Sequence, residues 1–566
     1  MRAIRIVIVT IALSVSMLEG SSQEDPALTY PVTYVETVVD AATLQSLAHG
    51  FSVDRVDRNA DGTFKTRICL SFKEFDDFLS MNVPYTSIPR TRANVQMAQN
   101  YEQMTANWNR YPTYNTYLAM MDSFRTRHPN LCEIDTILAA TPGNHKILCA
   151  HISNNLNDNQ GKPSILYIST IHGDEVVGYY MMLRLIHYLL NNYGIDSYTT
   201  YLVNNIDLWI CPLYNPDGTY FTSNNQINES PTSIRYNRHF EDLNRVYPEA
   251  GQSVAKSGYE PEVEAMMEFM SAHNFTLAAN LHGGAEVFNY PWDTWMTWQR
   301  SHADAAWWNY VGRSFADTCH LYNANYMTEE ENGVTEGGDW YVITGSMQDY
   351  HNWYLGTRHV TIEVSNNKVE SSNKLPTFWG YVYRSLLNYI AEAYNGIHGT
   401  VTDSVTGEPL EALVYIVDHD VDHSYVESVL PYGDYHRPIK AGQYTVTYSA
   451  EGYFPKTIVT NIADGQHLEQ NVQLVKSVGV EDYEHRVTVY PNPAKDFVTV
   501  EINVDLEIAN VNLYNINGRA VGVNNYSPLQ RDGIIQLDLR PLSTGTYFLH
   551  IKTDDGREIL RKIVHQ

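Results

Sequence analysis

Cysteine is scarce in this sequence, with only 5 among 566 residues. The five are Cys69, Cys132, Cys149, Cys211 and Cys319. They are widely spaced and odd in number, which excludes a disulfide-dense scaffold and a zinc ribbon. One or two disulfides remain compatible with an exported protein, but the sequence assigns no pairing.

Basic residues are also in short supply. Lysine and arginine number 38 against 65 aspartates and glutamates, which gives a formal net charge of −27. Because phosphate binding needs a basic face, this balance argues against nucleic acid as a partner. An acidic surface is weakly compatible with cationic substrates, but by itself it indicates no more than solubility.

Long apolar runs are missing from the sequence beyond its first residues. The chain opens MRAIRIVIVTIALSVSMLEGSSQ, in which two arginines precede an apolar run and small polar residues follow. This pattern predicts a secretory signal peptide over residues 1–22, too short for a transmembrane span. No later window approaches ~18 uninterrupted apolar residues, so we expect no transmembrane segment in the mature chain.

The remaining sequence is rich enough in apolar residues, at 43%, to form full cores. Residues 27–90 alternate as strand, helix, strand, strand, helix, strand, with a hairpin turning at DGT, which predicts a small α+β domain. Residues 108–395 alternate strand and helix patterns. The predicted strands SILYIST and VNNIDLWICPL of this region are apolar throughout, as expected for strands that helices cover on both faces.

Short strands separated by turns follow from residue 396. They predict one β-sandwich over residues 396–475 and, after a linker near 476–484, a second over residues 485–566. The predicted fold class is therefore α/β, flanked by a small N-terminal α+β domain and two C-terminal β-sandwich domains.

Two apolar strands end in side chains that could bind a metal. SILYIST runs into His-Gly-Asp-Glu, and LAANLHGG ends its apolar run at His282. A simple alternative is that Asp174 and Glu175 stabilise a helix N-terminus. However, zinc sites usually take three protein ligands, and binding crevices of α/β sheets lie beyond the carboxyl ends of strands. His172, Glu175 and His282 are therefore a candidate zinc site.

A series of short motifs, in one order, resembles the zinc metallocarboxypeptidases. The motifs are HGDE followed by VVG, then NPDG, DLNR, NLHGGA, NYPWD, GSMQD and TIEVS. More narrowly, they are similar to the regulatory branch of carboxypeptidases D, E and N. The resemblance implies a mixed-sheet catalytic domain with a single bound Zn²⁺, which removes the C-terminal residue from peptides and proteins.

The resemblance also assigns catalytic roles. The metal ligands would be His172, Glu175 and His282, the general base Glu363, and the arginine that stabilises the oxyanion Arg235. A carboxylate that ends an apolar strand is costly unless it has a task or a partner, which favours a role for Glu363. Arg238 is a nearby alternative to Arg235, but its spacing from Arg245 fits the family less well.

Five further residues match the family's substrate-binding positions. Asn244 and Arg245 in DLNR match the clamp for the terminal carboxylate, and Tyr341 matches a mobile tyrosine that closes over it. Asp293, the last residue of NYPWD, matches the family's acidic position that attracts a basic side chain of the substrate. Gln348 in GSMQD matches a residue that lines the pocket for that side chain. The resemblance therefore predicts peptide and protein C-termini as partners, with Lys or Arg as the last residue.

The C-terminal segments resemble two known modules. GDYHRPIKAGQYTVTYSAEGY is similar to the transthyretin-like module of the regulatory branch. VYPNPAKDFVTVE, LYNINGRAV, LSTGTYFLHI and the terminal KIV resemble the sorting domains of the type IX secretion system of Bacteroidetes. This implies the type IX machinery as a partner, and a secreted or cell-surface location in a Gram-negative bacterium after signal peptide cleavage.

Some alternatives stay open at this point. Regulatory-branch enzymes generally lack a prodomain, so residues 27–90 are either an inhibitory prosegment or an accessory module. A zinc amidase acting on cell-wall peptides is a competing function, which the terminal-carboxylate clamp disfavours. An inactive peptide-binding homologue is another competing interpretation. The complete set of predicted metal ligands, together with the predicted general base, disfavours it.

Overall fold

The structure is a computed structural model. It describes residues 31–89, 93–228, 232–254, 258–477, 487–502, 508–521, 534–553 and 558–566. The predicted signal peptide and most of the predicted linker near 476–484 lie outside these residues. Among the residues described, none of the helices is long and apolar enough to cross a membrane. All five cysteines are buried and free.

The N-terminal domain has the predicted order of elements. These are β1 (Val32–Val39), α1 (Ala41–Gly50), β2 (Ser52–Arg58), β3 (Phe64–Ser71), α2 (Phe75–Ser80) and β4 (Thr86–Ser87). The strands form one antiparallel sheet in the order β2-β3-β1-β4. Apolar residues of both helices pack with Val35, Val53 and Ile68 of the sheet, so the domain has its own core.

The central domain is an eight-stranded mixed sheet with helices around it. Its elements are β5 (Met97–Ala98), α3 (Tyr101–Thr105), β6 (Tyr111–Pro112), α4 (Tyr114–Arg127), β7 (Cys132–Leu138), β8 (Ile147–Ile152), β9 (Ser164–Ser169), α5 (Val177–Asn192), α6 (Ser197–Asn205), β10 (Asp207–Cys211), α7 (Pro216–Thr219), α8 (Pro261–His273), β11 (Leu277–His282), β12 (Ala285–Tyr290), α9 (Ala305–His320), α10 (Glu329–Gly333), β13 (Val334–Glu336), α11 (Gly337–Trp340), α12 (Met347–Tyr354), β14 (Arg358–Ser365), a 3₁₀ turn (Ser372–Lys374) and α13 (Leu375–Glu392). The order of the main sheet is β13-β12-β14-β11-β9-β10-β8-β7.

The four strands β10, β9, β11 and β14 run parallel at the centre of this sheet. The predicted strand VNNIDLWICPL was too long, because its first residues belong to α6, which ends at Asn205. Helix α5 packs closely on β9 and β11: a Cβ added at Gly178 would lie 2.5 Å from Ser169 Oγ and 2.8 Å from Leu281 Cβ. Close packing here fixes the loop that joins β9 to α5.

The third region is a β-sandwich. It contains β15 (Gly396–Asp403), β16 (Leu413–Ile416), β17 (Val426–Glu427), β18 (Asp434–Arg437), β19 (Gly442–Ser449), β20 (Lys456–Ile462), β21 (His467–Glu469) and β22 (Val472–Leu474). One sheet has the order β18-β15-β21, with β22 also paired to β15, and the other has the order β17-β16-β19-β20. Apolar residues of both sheets form one core. The similarity of this β-sandwich to transthyretin-like modules stays a prediction, as do the exact domain boundaries.

The last region contains two three-stranded sheets. Its strands are β23 (Val487–Tyr490), β24 (Phe497–Ile502), β25 (Ile508–Asn515), β26 (Ile534–Asp538), β27 (Gly545–Thr553) and β28 (Glu558–His565). The sheet orders are β23-β24-β26 and β25-β27-β28, and apolar residues from both sheets share one core. The predicted fold class is confirmed: an α/β mixed-sheet domain flanked by a small α+β domain and two β-sandwich domains.

A buried ion cluster joins the central domain to the first sandwich. Asp304, which precedes α9, lies 2.9 Å from Arg358 of β14 and 2.9 Å from Arg437 of β18. Its second oxygen also lies 2.8 Å from His419 Nε2, and Arg437 reaches Asp420 at 2.6 Å. Burial raises the pKa of the Asp304 carboxyl, but Arg437 and Arg358 outweigh it and hold that pKa well below its usual range.

Replacing Asp304 with alanine should destabilise this interface strongly. The change leaves two buried guanidinium groups without their shared carboxylate, and breaking a buried ion pair typically costs about 3–5 kcal/mol. Urea unfolding should therefore show a lower midpoint for Asp304→Ala. Asp317→Ala, which removes an exposed partner of Arg313, serves as the control. A shift no larger than the control's would mean that the cluster adds no net stability.

Candidate active site

The three predicted metal ligands meet at the carboxyl ends of β9 and β11. His172 and Glu175 lie in the loop after β9, and His282 is the last residue of β11. Glu175 Oε1 lies 3.0 Å from His172 Nδ1, and its Oε2 lies 3.0 Å from His282 Nδ1. Helix α5 has Val176 at its N-cap and no side-chain cap. The acidic residues of HGDE therefore do not cap α5 through a side-chain hydrogen bond, and the alternative that they complement the positive end of the helix dipole stays a prediction.

The donor set fits a zinc ion. Within the described residues, His172, Glu175 and His282 are the one cluster suited to a metal, with one ligand atom from each lying within 4.8 Å of the others. His172 Nδ1 is buried and makes no hydrogen bond, although Glu175 is close. Burial lowers the pKa of His282 to about 4, so its imidazole is neutral and able to donate a lone pair. Two imidazole nitrogens and a carboxylate are a common set for catalytic zinc.

Glu363 lies beside this cluster because of strand register. Strands β11 and β14 are parallel neighbours, and Glu363 is paired with His282. Its Oε1 lies 4.0 Å from His282 Nδ1, and its buried Oε2 has no hydrogen-bond partner among the described residues. Burial, followed by the nearby Glu175 carboxylate, raises the pKa of Glu363. A divalent cation beside it would lower that pKa again.

Arg235 is the arginine that reaches the metal cluster. Its guanidinium is buried, with Nη1 3.2 Å from Glu175 and Nε 3.0 Å from Asp242. Asp242 in turn lies 3.2 Å from His172 Nε2 and so orients that imidazole. The alternative, Arg238, is placed over the ring of Phe221 and takes no part in this cluster.

The predicted clamp residues lie on one side of the cluster. Asn244 is buried and accepts a hydrogen bond from Met347 N at 3.0 Å. Arg245 donates to the Val53 carbonyl at 3.1 Å, and no carboxylate among the described residues lies within ion-pair distance of it. Burial raises the pKa of the Tyr341 hydroxyl to about 12, so this tyrosine is neutral. Arg245 is thus a cation without an anionic partner.

The predicted pocket residues contact each other. Asp293 Oδ1 accepts hydrogen bonds from Gln348 Nε2 at 3.1 Å and from Asn289 Nδ2 at 3.3 Å. Gln348 is held in place because its Oε1 accepts from Thr361 N at 2.6 Å. Asp349 accepts from the Asp293 backbone N at 2.9 Å. Burial and the neighbouring Asp293 raise the pKa of Asp349 to about 8, so a second acid supports the pocket.

Three residues at the site were missed by sequence reasoning. Lys368 Nζ lies 2.8 Å from Glu175, and Asp242 supports both Arg235 and His172. The third, Asp54, comes from the N-terminal domain. Asp242 could have been found, because it is the first residue of the DLNR motif, two positions before Asn244. Neither Lys368 nor Asp54 carries a comparable local signal.

The central domain of this chain is similar to known proteins. Residues 117–384 match the family model described as zinc carboxypeptidase. Mouse carboxypeptidase M is 31% identical over 332 residues, which cover 56% of this chain and 70% of that protein. The chain belongs to the zinc carboxypeptidase family. This confirms the predicted family membership and the expected class of metallocarboxypeptidase enzymes.

Two further relatives are matched over smaller shares of their own length. Carboxypeptidase SOL1 of Arabidopsis thaliana is 33% identical, over 54% of this chain and 60% of that protein. Human carboxypeptidase D is 31% identical, over 62% of this chain but 26% of its own length. A solved carboxypeptidase A from Helicoverpa armigera superposes with a TM-score of 0.48 at 17% identity, over 64% of this chain and 97% of that one. Residues 488–566 separately match the model of a secretion system C-terminal sorting domain.

Proposed function

We propose that this protein is an exported zinc carboxypeptidase that removes C-terminal lysine or arginine from peptides and proteins. The observation that carries the proposal is the cluster of His172, Glu175 and His282 with Glu363 in register beside it. The C-terminal sorting domain supports export through the type IX secretion machinery, to the surface or exterior of a Gram-negative cell.

Substrate recognition at the C-terminus follows from Arg245. A half-buried cation without a carboxylate partner is costly, and a guanidinium binds a carboxylate through two parallel hydrogen bonds. The terminal carboxylate of a peptide would supply that partner, with Asn244 beside it. Cell-wall amide substrates without a free carboxylate would leave Arg245 unpaired, which disfavours the amidase alternative.

The preference for a basic last residue follows from Asp293 and Gln348. Asp293 is buried with another acid, Asp349, close by, and among the described residues no lysine or arginine lies within ion-pair distance of either carboxyl group. A lysine or arginine side chain of the substrate would provide a neutralising cation, whereas an apolar side chain would leave the pocket uncompensated.

In the reaction, zinc would polarise the scissile carbonyl and lower the pKa of a bound water. Glu363 takes the proton from the attacking water at its unpartnered Oε2 and passes it to the leaving amine. Arg235 donates hydrogen bonds to the oxygen that becomes negative in the transition state. Asp242 keeps the His172 imidazole oriented through Nε2.

Peptides that differ only in their last residue test this function. C-terminal Arg or Lys should be released far faster than Leu or Phe. Asp293→Ala should lower kcat/KM for C-terminal Arg by at least about tenfold, since that factor corresponds to ~1.4 kcal/mol and a desolvated charge pair exceeds it. Steady-state kinetics on the peptide panel provide the measurement.

Two controls sharpen this test. Any weak activity of Asp293→Ala on apolar ends should stay close to that of the wild type, because the pocket acid is not used there. A peptide ending in arginine amide should not be cleaved, because Arg245 then has no anionic partner. Equal losses on all substrates, or a wild-type preference for aromatic ends, would contradict the pocket assignment.

A further inference from the structure

The turn that carries the pocket acid Asp293 is held by a buried carboxyl group that takes no part in the proposed reaction. This group belongs to Asp349, which is 1% exposed. Its Oδ1 accepts a hydrogen bond from Asp293 N at 2.9 Å. Its Oδ2 accepts from Thr294 N at 2.8 Å and from Thr294 Oγ1 at 2.7 Å. Both oxygens of Asp349 are therefore bound to the turn at residues 293–294.

The main chain of Asp293 is fixed on both of its polar groups. Its N–H donates to Asp349, and its carbonyl accepts from Ile343 N at 3.1 Å. The carbonyl of the preceding Trp292 accepts from Gly338 N at 2.7 Å. Of these three partners, Asp349 is the one that acts through its side chain. A substitution can therefore remove this contact and leave the backbone contacts of the turn in place.

Little space surrounds the Asp293 carboxylate. A Cβ atom added at Gly337 would collide with Asp293 Oδ1 and would lie 2.9 Å from Asn289 Oδ1. The same Asp293 oxygen accepts hydrogen bonds from Gln348 and Asn289. Groups that bind a ligand must be held within about 0.5 Å of their productive positions. A small displacement of the turn would therefore move the carboxylate away from the place where it meets the substrate.

Asp349 lies in a helical turn that also holds the clamp for the terminal carboxylate. Ser346, the N-cap of α12, accepts a hydrogen bond from Asp349 N at 3.2 Å. Met347 N, in the same turn, donates to Asn244 Oδ1 at 3.0 Å. The first turn of α12 thus contacts a clamp residue directly and the pocket acid through Asp349. The spacing between the two halves of the recognition site depends on this turn.

We propose that Asp349 is a positioning residue for substrate specificity, which fixes the main chain of Asp293 so that the Asp293 carboxylate meets the last side chain of the substrate. The inference rests on the proposed carboxypeptidase function and adds a residue that determines its specificity. Asp349 acts through Asp293 and not by contact with the substrate, because both of its oxygens are bound to the turn.

A carboxyl group suits this position because all three groups that face it are donors. Either of its oxygens can accept a hydrogen bond, whereas the nitrogen of an amide cannot. In Asp349→Asn, the amide oxygen replaces one carboxyl oxygen, and the amide NH₂ then faces the N–H of Asp293 or of Thr294. Asparagine has nearly the same size as aspartate. The substitution therefore breaks a contact of the turn with little change in packing.

Kinetics on matched peptides test the inference. We expect Asp349→Asn to lower the ratio of kcat/KM for C-terminal Arg to kcat/KM for C-terminal Leu by about tenfold or more, because a well-placed desolvated charge pair is worth at least that factor. The kcat/KM for C-terminal Leu should stay close to the wild-type value. A general loss of structure would lower both values together.

Asp207→Asn is the matched control. Asp207 is also buried, and its carboxylate accepts a hydrogen bond from Trp209 Nε1 at 2.8 Å and lies 2.8 Å from His151 Nε2. It is the first residue of β10, at the amino end of that strand, whereas the metal cluster lies at the carboxyl ends of β9 and β11. Asp207→Asn should keep the wild-type ratio of Arg to Leu cleavage.

A double substitution shows whether Asp349 acts through Asp293. In an Asp293→Ala background, Asp349→Asn should lower the Arg-to-Leu ratio no further, because effects of residues that act through one another are not additive. Hydrogen exchange followed by mass spectrometry should also show faster exchange of the Asp293 and Thr294 amides in Asp349→Asn than in Asp207→Asn. An additive loss in the double variant would contradict action through Asp293.

Binding of free arginine gives a measurement that does not depend on turnover. By calorimetry, the zinc-loaded wild-type chain should bind arginine more tightly than leucine, and Asp349→Asn should lose this difference. Thr294→Val removes only the hydroxyl donor to Asp349, so it should cause a smaller loss in the same direction. This variant decides the question if Asp349→Asn does not fold, and an unchanged preference in it then counts against the inference.

The outcomes separate the inference from the proposed function. Loss of arginine preference in both cleavage and binding supports the inference. Loss of arginine binding in a protein that cleaves no peptide also supports it, but counts against the proposed function. A wild-type preference for arginine that Asp349→Asn retains, or a loss that is equal for Arg and Leu, would overturn the inference and leave the proposed function standing. A wild type that prefers arginine in neither assay would overturn the pocket assignment and the inference together.

Discussion

The Glu363→Gln variant should bind zinc and peptide nearly as well as the wild type and lose most of its turnover. Glutamine keeps the size and hydrogen-bonding capacity of the side chain but cannot take a proton. Loss of a general base typically costs about 10²–10⁴-fold in rate. Steady-state kinetics should show this loss in kcat, while metal analysis shows unchanged zinc content.

Glu286→Gln is the matched control for this experiment. Glu286 is a buried glutamate on the neighbouring strand β12, and burial raises the pKa of its carboxyl to about 7. Glu286 is paired with Val364 across the two strands, whereas Glu363 is paired with Val287, so the two glutamates are not opposite each other. Its replacement should leave kcat near the wild-type value. Unchanged turnover in Glu363→Gln would place the base on another residue.

Removal of the metal ligand His282 should abolish activity together with zinc binding. His282→Ala leaves only His172 and Glu175, and a two-ligand site cannot hold catalytic zinc at the affinity of a three-ligand one. The zinc content measured by mass spectrometry and the rate of peptide hydrolysis should fall in parallel. In the wild type, a chelator should remove activity, and added zinc should restore it.

His239→Ala is the control, because it replaces a histidine that is not one of the proposed metal ligands. The His239 side chain is about half exposed and pairs with Glu260 away from the metal cluster. This variant should keep its zinc and its activity. Full zinc occupancy in His282→Ala would remove His282 from the ligands, whatever the effect on activity.

The local pattern of the sequence predicted the parts of the fold that depend on neighbouring residues. The order of strands and helices in residues 27–90 was correct, because each element there carries its own periodicity and turn residues. The strand predicted over 203–213 was too long at both ends, because β10 covers only Asp207–Cys211. Asp196 caps α6 by accepting a hydrogen bond from Thr199 N, and that helix runs on to Asn205, into the predicted strand.

The candidate site was predictable for a related reason. His172 follows the apolar strand β9 and His282 ends the apolar strand β11, and parallel strands of one sheet bring their carboxyl ends to the same edge. Glu363 joins them because β14 runs beside β11 in parallel register. Motif order identified the family, and the structure brings these residues together, while their roles stay a prediction.

The sequence by itself determined the fold class, the family and the residues proposed to hold zinc. Only the tertiary structure decided which side chains surround them. Lys368 and Asp242 reach Glu175 and His172 through the fold of the central domain, and the docking of the N-terminal domain places Asp54 beside Arg235. Spacing along the chain cannot show that β2 contacts Arg235 and Arg245, because these contacts depend on how the surfaces of two separate cores fit together.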